Sequence, residues 1–296
     1  MKSSFKRKGL SDKIFIIVDY VILTILLILI LYPLLYVIMA SVSGGPNTMS
    51  IYLIPKKFSL AGYEAVFAYK DIWTGYANSL IYMVLGTIIS LACTMLCAYP
   101  LSRKDFRARK FIMAMCMITM YFSGGLIPTY LTIRNLGMLN TRWALLLPGA
   151  MSVYNMIVAR TYLMTSIPED IWESAQIDGC GNVRYLISMI LPLSKPILAV
   201  IGLFYAVGIW NSYFDAMIYV SAKRTLYPLA LVLREILVLD SAAMDQLDIN
   251  TLLALEERRN VMKYAVIVVS SLPVMAIYPF VQKFFVKGVM IGAVKG

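Results

Sequence analysis

The stretch IPEDIWESAQIDGCGN, Ile167 to Asn182, places four acids, Glu169, Asp170, Glu173 and Asp178, between two apolar runs of membrane-spanning length. Its local signals are helical. Ser166 followed three residues later by Glu169 fits a capping box, Pro168 is tolerated in a first turn, and Asp170 sits near the positive end of the helix dipole. Ile167, Ile171 and Ala175 recur at i, i+4 and i+8, which gives the helix one apolar face. Gly179 supplies a left-handed stop. Asn182 is then an N-cap for a second helix with Val183 to Leu191 as its body. The predicted unit is a helix, a tight glycine turn and another helix.

The surrounding composition decides where such a unit can sit. The chain is 60% hydrophobic and 15% charged, with a mean hydropathy of +0.76, which marks an integral membrane protein. Apolar runs long enough to cross a bilayer, about 20 residues in a helix, extend over Ile14 to Ala40, Tyr76 to Leu101, Phe111 to Leu131, Trp143 to Leu163, Ile197 to Val220 and Val261 to Phe280. The first is too long for a cleavable h-region and reads as a signal anchor. The net charge of +11 gathers at the ends of these runs, as in FKRKGLSDK and SRKDFRARK. That distribution argues for positive-inside orientation with both termini cytoplasmic, and against nucleic acid. Residues 1–13 are a basic cytoplasmic N-terminus. Residues 41–75 and 221–260 are external segments, and 76–284 form a five-helix core with the polar unit at 166–192. Residues 285–296 are a cytoplasmic tail. External loops of this length usually carry a task.

Several chemistries are excluded. Histidine is absent, which removes Ser-His-Asp and Cys-His catalysis, zinc-protease chemistry and histidine proton relays. Cys93, Cys97, Cys116 and Cys180 form no Cys-x-x-Cys pair and read as packing thiols, so neither a metal site nor a catalytic residue is expected. Met113, Met115, Met117 and Met120 read as packing residues. Asp19 lies near a helix end, where it is hydrated.

The polar unit therefore reads as a short amphipathic hairpin at the cytoplasmic surface. A helix lying in lipid headgroups is the other reading, but its acids would be repelled by anionic lipid. A protein partner fits them better.

Glu173-Ser174-Ala175, three residues, Gly179, nine residues, Met189, one residue and Leu191-Pro192 resemble the EAA motif of ABC-importer permeases, Glu-Ala-Ala-x3-Gly-x9-Ile-x-Leu-Pro. Ser174 replaces Ala and Met189 replaces Ile, small for small and apolar for apolar. With Asp178, LPLSKPILAV, AYPLSRKDFRARKF and the terminal KGVMIGAVKG, the chain is similar to the carbohydrate-uptake branch, of the MalG-like and LplC-like kind, from about Leu60 onward. The resemblance implies an all-α membrane protein of the type I ABC-importer permease (MetI-like) fold in a bacterial inner membrane. Its first helix would embrace a homologous second permease. The resemblance also implies two cytoplasmic ATPase subunits that hold ATP and Mg, an extracellular solute-binding protein and an oligosaccharide substrate. The hairpin is then the coupling helix: Glu173 pairs with a basic residue of the ATPase, Ala175 allows close approach, Gly179 makes the turn, and Ser174, Asp178, Leu191 and Pro192 complete the motif. No Gly-x4-Gly-Lys-Ser/Thr phosphate loop is present, so the expected ATP site is on the partners and no cofactor is expected on this chain. In the resembling maltose-type permease the tail reaches between the ATPases, which implies such a role for Lys287, Gly292, Lys295 and Gly296. A frayed terminus is the other reading.

Near the end of the fifth run, Trp210 with Phe214 and Asn211 with Asp215 are i, i+4 pairs, giving aromatic and polar stripes suited to stacking and hydrogen-bonding a sugar. An interfacial aromatic belt accounts for the same aromatics. Asp215 stands apart, because acids near membrane spans face cavities or partners. Rival readings are an ABC permease for a non-sugar solute and an ion-coupled secondary transporter. The latter needs broken helices or paired intramembrane acids.

Overall fold

A computed structural model describes residues 9–43, 58–238 and 262–277, together with 279 and 282. Among them the architecture is helical, and the one β-bridge, Ser43 with Phe58, stands alone. The described residues fall into two compact units. One holds residues through Tyr69 and those of the last described helix through Ser270; the other runs from Lys70 to Val238 and resumes at Ser271.

In the first unit, α1 spans Leu10–Ser41 and α2 spans Ala61–Ala68. α1 is apolar on all sides, and none of its most apolar window is buried, as suits a helix meant for lipid or for another subunit. Ser41 and Tyr63 share a hydroxyl hydrogen bond of 2.8 Å, and Tyr36 meets Tyr264 edge-on at 5.9 Å.

The second unit is organised on α3, Lys70–Ser102, 33 residues that rise about 50 Å at helical pitch. It starts six residues before the expected run, because the polar turn Lys70–Gly75 is helical too, with Asp71 at its positive end. The expected external segment 41–75 therefore already contains α2 and the start of α3.

The next three apolar runs are not the continuous helices expected. Phe111 to Leu131 is split into α4, Arg109–Tyr121, and α5, Leu126–Asn135, bent by 114°. Gly125 at the break has φ 85°, a backbone state open to glycine at little cost. Trp143 to Leu163 is split into α6, Trp143–Leu146, and α7, Val153–Ser166, since Pro148 has no N–H with which to continue the helical ladder. Ser152 caps α7 by accepting the Asn155 N–H. Ile197 to Val220 becomes α11, Lys195–Asn211, and α12, Phe214–Tyr219, with Ser212 extended. Between α7 and α11 come α8, Asp170–Ile177, α9, Asn182–Tyr185, and α10, Leu191–Leu193. Two described helices, from Ser11 to Ser41 and Lys70 to Ser102, are long and apolar enough to span a bilayer unbroken.

α3 packs against α11, α7 and α13, the last being Leu229–Val238. The expected external loop 221–260 thus carries a helix in its described part, preceded by a 3-10 turn at Arg224–Leu226. Side chains of α3 hold this strap by its backbone. Asn78 donates to the carbonyls of Thr225 (2.8 Å) and Tyr227 (3.1 Å), the Tyr82 hydroxyl donates to Leu226 O at 2.8 Å, and Ser79 Oγ accepts the Leu229 N–H at 2.8 Å. Arg224 bridges Asp71 at 3.0 Å and Glu235 at 3.1 Å. The last described helix, α14, covers Met262–Ile277.

Gly75 permits the approach of α13, since a Cβ there would lie 3.1 Å from the Leu229 Cα, a backbone atom that has no rotamer to yield. Gly75→Leu is expected to cost about 1–3 kcal/mol by overpacking, read as a lower thermal midpoint of the purified protein in detergent; an unchanged midpoint would contradict this close packing.

Candidate functional site

The hairpin forms as the sequence predicts, with corrections at its entry. Ser166 is the last residue of α7, and Glu169 is the N-cap of α8, with helical dihedrals and no side-chain cap. The capping box is not made, because the Glu169 carboxylate pairs with Lys104 instead. Asp170 and Glu173 occupy the first turn of α8, where acids suit the dipole. At its end Gly179 has φ 70°. Cys180 N–H reaches Ala175 O at 2.8 Å and Gly179 N–H reaches Gln176 O at 3.0 Å, the paired bonds of a Schellman stop. Asn182 is the first residue of α9, not its cap, and Gly181 precedes it in extended form. The predicted second helix Val183 to Leu191 is interrupted by a π turn over Leu186–Ile190, closed by Leu191 N–H to Leu186 O, directly before Pro192. π turns widen a helix locally and recur at functional sites.

The hairpin is held down by Trp172 and Tyr185, 7% and 1% exposed. The Arg103 guanidinium lies 4.0 Å over the Trp172 ring, Tyr185 meets Trp172 edge-on at 4.8 Å, and Tyr99 of α3 lies 6.2 Å from Tyr185. Burial pushes the Tyr185 phenol up from its usual range, and the positive charge of Arg103 opposes this. The sequence reading missed this cluster. The available signal was the i, i+3 spacing of Trp172 to Ala175.

Ala175 is 1% exposed and belongs to the chain's own core, so the close approach it permits is that of α8 to the bundle. Glu173, Ser174, Gln176, Asp178 and Gly179 face outward. Three aliphatics of the hairpin are exposed as well, Ile177, Val183 and Ile187, at 87%, 71% and 59%. Pro192 is exposed and Leu191 half-buried. Lys287, Gly292, Lys295 and Gly296 lie outside the described residues.

Further along the bundle is a cavity of about 350 Å³, lined from α3 by Tyr82 and Ser90, from α7 and the loop before it by Ser152 and Asn155, from α11 by Tyr205, and by Ser212 and Asp215. The Tyr205 hydroxyl is fixed between Thr94 Oγ1 at 2.7 Å and the Ser152 N–H at 3.0 Å. Asp215 is the one charged residue among those lining it.

The break at Ser212 and Tyr213 undoes the expected i, i+4 stripes. Trp210 is 5% exposed and packs edge-on against Tyr76 at 5.6 Å. The Asn211 amide donates back to Val207 O at 2.9 Å, and Phe214 is 47% exposed. Of the four candidates for a solute path, Asp215 alone lines the cavity. Ser90, Ser152, Asn155 and Tyr205 were absent from the sequence reading because no spacing links residues on three separate helices.

Residues 89–220 match the family described as binding-protein-dependent transport system inner membrane component. Protein LplC of Bacillus subtilis (strain 168) is 38% identical, covering 89% of each chain. The polygalacturonan/rhamnogalacturonan transport system permease protein YtcP of the same organism is 37% identical over 97% of this chain and 100% of that one. A crystal structure of a bacterial ABC transporter involved in the import of the acidic polysaccharide alginate contains a chain with TM-score 0.83 and 34% identity, covering 94% of this chain and 99% of that one.

Trp210→Ala is expected to act on stability, by about 3–5 kcal/mol for a buried aromatic, and to leave the relative uptake of different solutes unchanged. Asp215→Asn is expected to shift that relative uptake with little loss of thermal stability. Competition uptake and thermal unfolding measured on both variants check the assignment, and the reverse pattern would refute it.

Proposed function

This chain belongs to the inner-membrane permeases of binding-protein-dependent transport systems, and on that premise we propose that it is the permease subunit of an ATP-driven importer of oligosaccharides or polysaccharide fragments. The family is one of transport permeases, so the subunit is non-catalytic. Support for the substrate class comes from the polysaccharide named for YtcP and the alginate handled by the matching transporter.

The observation that carries the coupling role is the hairpin's division into a buried face and an exposed face. Trp172, Ala175 and Tyr185 fasten it to the bundle, while Glu173, Ser174 and Asp178 remain available, and Ile177, Val183 and Ile187 are exposed too. This outward face suits a groove on a cytoplasmic ATPase. Burying the three aliphatics contributes about 1.5–3 kcal/mol each, and the acids, paired with basic residues of the ATPase, fix the register. The working complex then contains a homologous second permease, two ATPases that bind ATP and Mg, and an extracellular solute-binding protein. In this reading both termini and the hairpin lie on the cytoplasmic side, and Lys287, Gly292, Lys295 and Gly296 serve as further contacts for the ATPases.

ATP binding brings the ATPases together, and the hairpin turns that movement into rotation of the helices from inward-facing to outward-facing, a rigid-body form of alternating access. Hydrolysis resets it. Asp215 and the hydroxyl and amide groups around the cavity offer hydrogen bonds to a passing saccharide.

In proteoliposomes holding the full complex, Glu173→Arg is expected to leave the chain inserted while uptake falls at least tenfold or the ATPases detach during purification. Normal uptake with ATPases bound would sink the coupling role, and uptake driven by an ion gradient without ATP would sink the transporter class.

A further inference from the structure

The cavity bounded by α3, α7, α11 and α12 has an uncharged lining apart from Asp215, an exposed residue. Among the described residues no Lys or Arg forms an ion pair with its carboxylate. Two basic side chains approach the wall from behind, and both are engaged elsewhere. Arg142 donates to Asn78 Oδ1 at 3.3 Å, Arg234 lies 5.7 Å over the Tyr213 ring, and neither lines the cavity. The negative charge therefore stands without a protein counter-charge between low-dielectric walls, where a cleft focuses the field of its lining charges and salt screens less than at an open surface. Hydrogen bonding points the same way. An ionised carboxylate only accepts, and the Tyr82 hydroxyl already donates to Leu226 O, so it too turns a lone pair to the space. A saccharide hydroxyl, which can donate, meets partners here. A uronate carboxylate is itself only an acceptor, and it faces a like charge with no Lys or Arg on the wall to offset it.

We propose that Asp215 makes this wall selective by charge, so that the solute is an oligosaccharide without carboxylates and uronate-bearing fragments are held back. This rests on the importer reading above and narrows it. The matching transporter handles an acidic polysaccharide; the wall of this chain carries the sign that disfavours such a solute.

The test uses the complete complex of both permeases, ATPases and binding protein. The probe is a cysteine introduced by Gly208→Cys, on the cavity wall, where an added Cβ meets nothing within 4 Å. Its rates with a cationic trimethylammonium-ethyl and an anionic sulfonatoethyl methanethiosulfonate are compared, each divided by that of a free thiol in solution. Site-resolved mass spectrometry separates the position from native thiols. The normalised rate is expected to favour the cation about tenfold, Asp215→Asn to bring the ratio to about one, and Asp215→Glu to keep it. In uptake with ATP, galactotriose is expected to enter faster than trigalacturonate, its carboxylate-bearing counterpart, and Asp215→Asn to narrow that gap. Equal normalised rates in the Gly208→Cys complex overturn the proposal, as does a cation preference that survives Asp215→Asn, or wild-type uptake of trigalacturonate at the rate of galactotriose. If Asp215→Asn fails to assemble, Asp215→Ser is read in its place. If neither reagent reaches Gly208→Cys, Ser212→Cys on the same wall is read by the same criterion, and a wall closed to both reagents at both positions overturns the proposal too. A complex that shows the cation preference but takes up no saccharide with ATP speaks against the importer reading, and not against the charge of the wall.

Discussion

A buried backbone N–H or C=O must find its partner inside the protein, and α3 is where part of the irregular backbone of this unit finds one. The strap between α12 and α13 has lost helical bonding, yet the carbonyls of Thr225, Leu226 and Tyr227 and the amide of Leu229 are met by Asn78, Tyr82 and Ser79. The break before α7 is treated likewise, with the Ser152 amide bonded to the Tyr205 hydroxyl of α11. Breaks are tolerable here because neighbouring helices, α3 for the strap and α11 for Ser152, carry side chains of the right kind. The same breaks open the cavity, so the irregularity that costs backbone bonding also places Ser152 and Asp215 on its wall.

The hairpin answers the opposite requirement. It is polar, it needs no lipid, and its stability comes from a glycine stop and an aromatic cluster. Fixing Trp172 between Arg103 and Tyr185 leaves the acids of α8 outward. A loosely attached hairpin could dock on a motor and absorb its movement. A hairpin seated through buried rings passes movement on, because packed interiors deform little.

Much of this hairpin was legible because its causes are local. Gly179 must be left-handed for the chain to turn, and Asp170 and Glu173 suit the first turn whatever surrounds them. The capping box failed for a non-local reason: Glu169 found Lys104, 65 residues away. The stripe across Trp210 and Phe214 fails because Ser212 leaves the helix without a neighbouring glycine or proline to announce it, whereas Gly125 and Pro148 mark breaks inside runs whose apolar length alone favours a continuous span. Family resemblance assigned partners to the motif, but gave Ala175 a partner-facing role, and the fold turned it inward.

The sequence by itself determined that this is a helical membrane protein with a long first helix, a long α3 and a polar helix–glycine–helix unit. Composition, run length and local dihedral preference act within a few residues, and a single chain displays them. Only the tertiary structure decided which face of the hairpin is buried, which polar groups share a cavity, and that residues after Tyr219 are strapped to the start of α3. Those outcomes hang on contacts such as Ser79 with Leu229, 150 residues apart, where geometry depends on how every intervening helix packs.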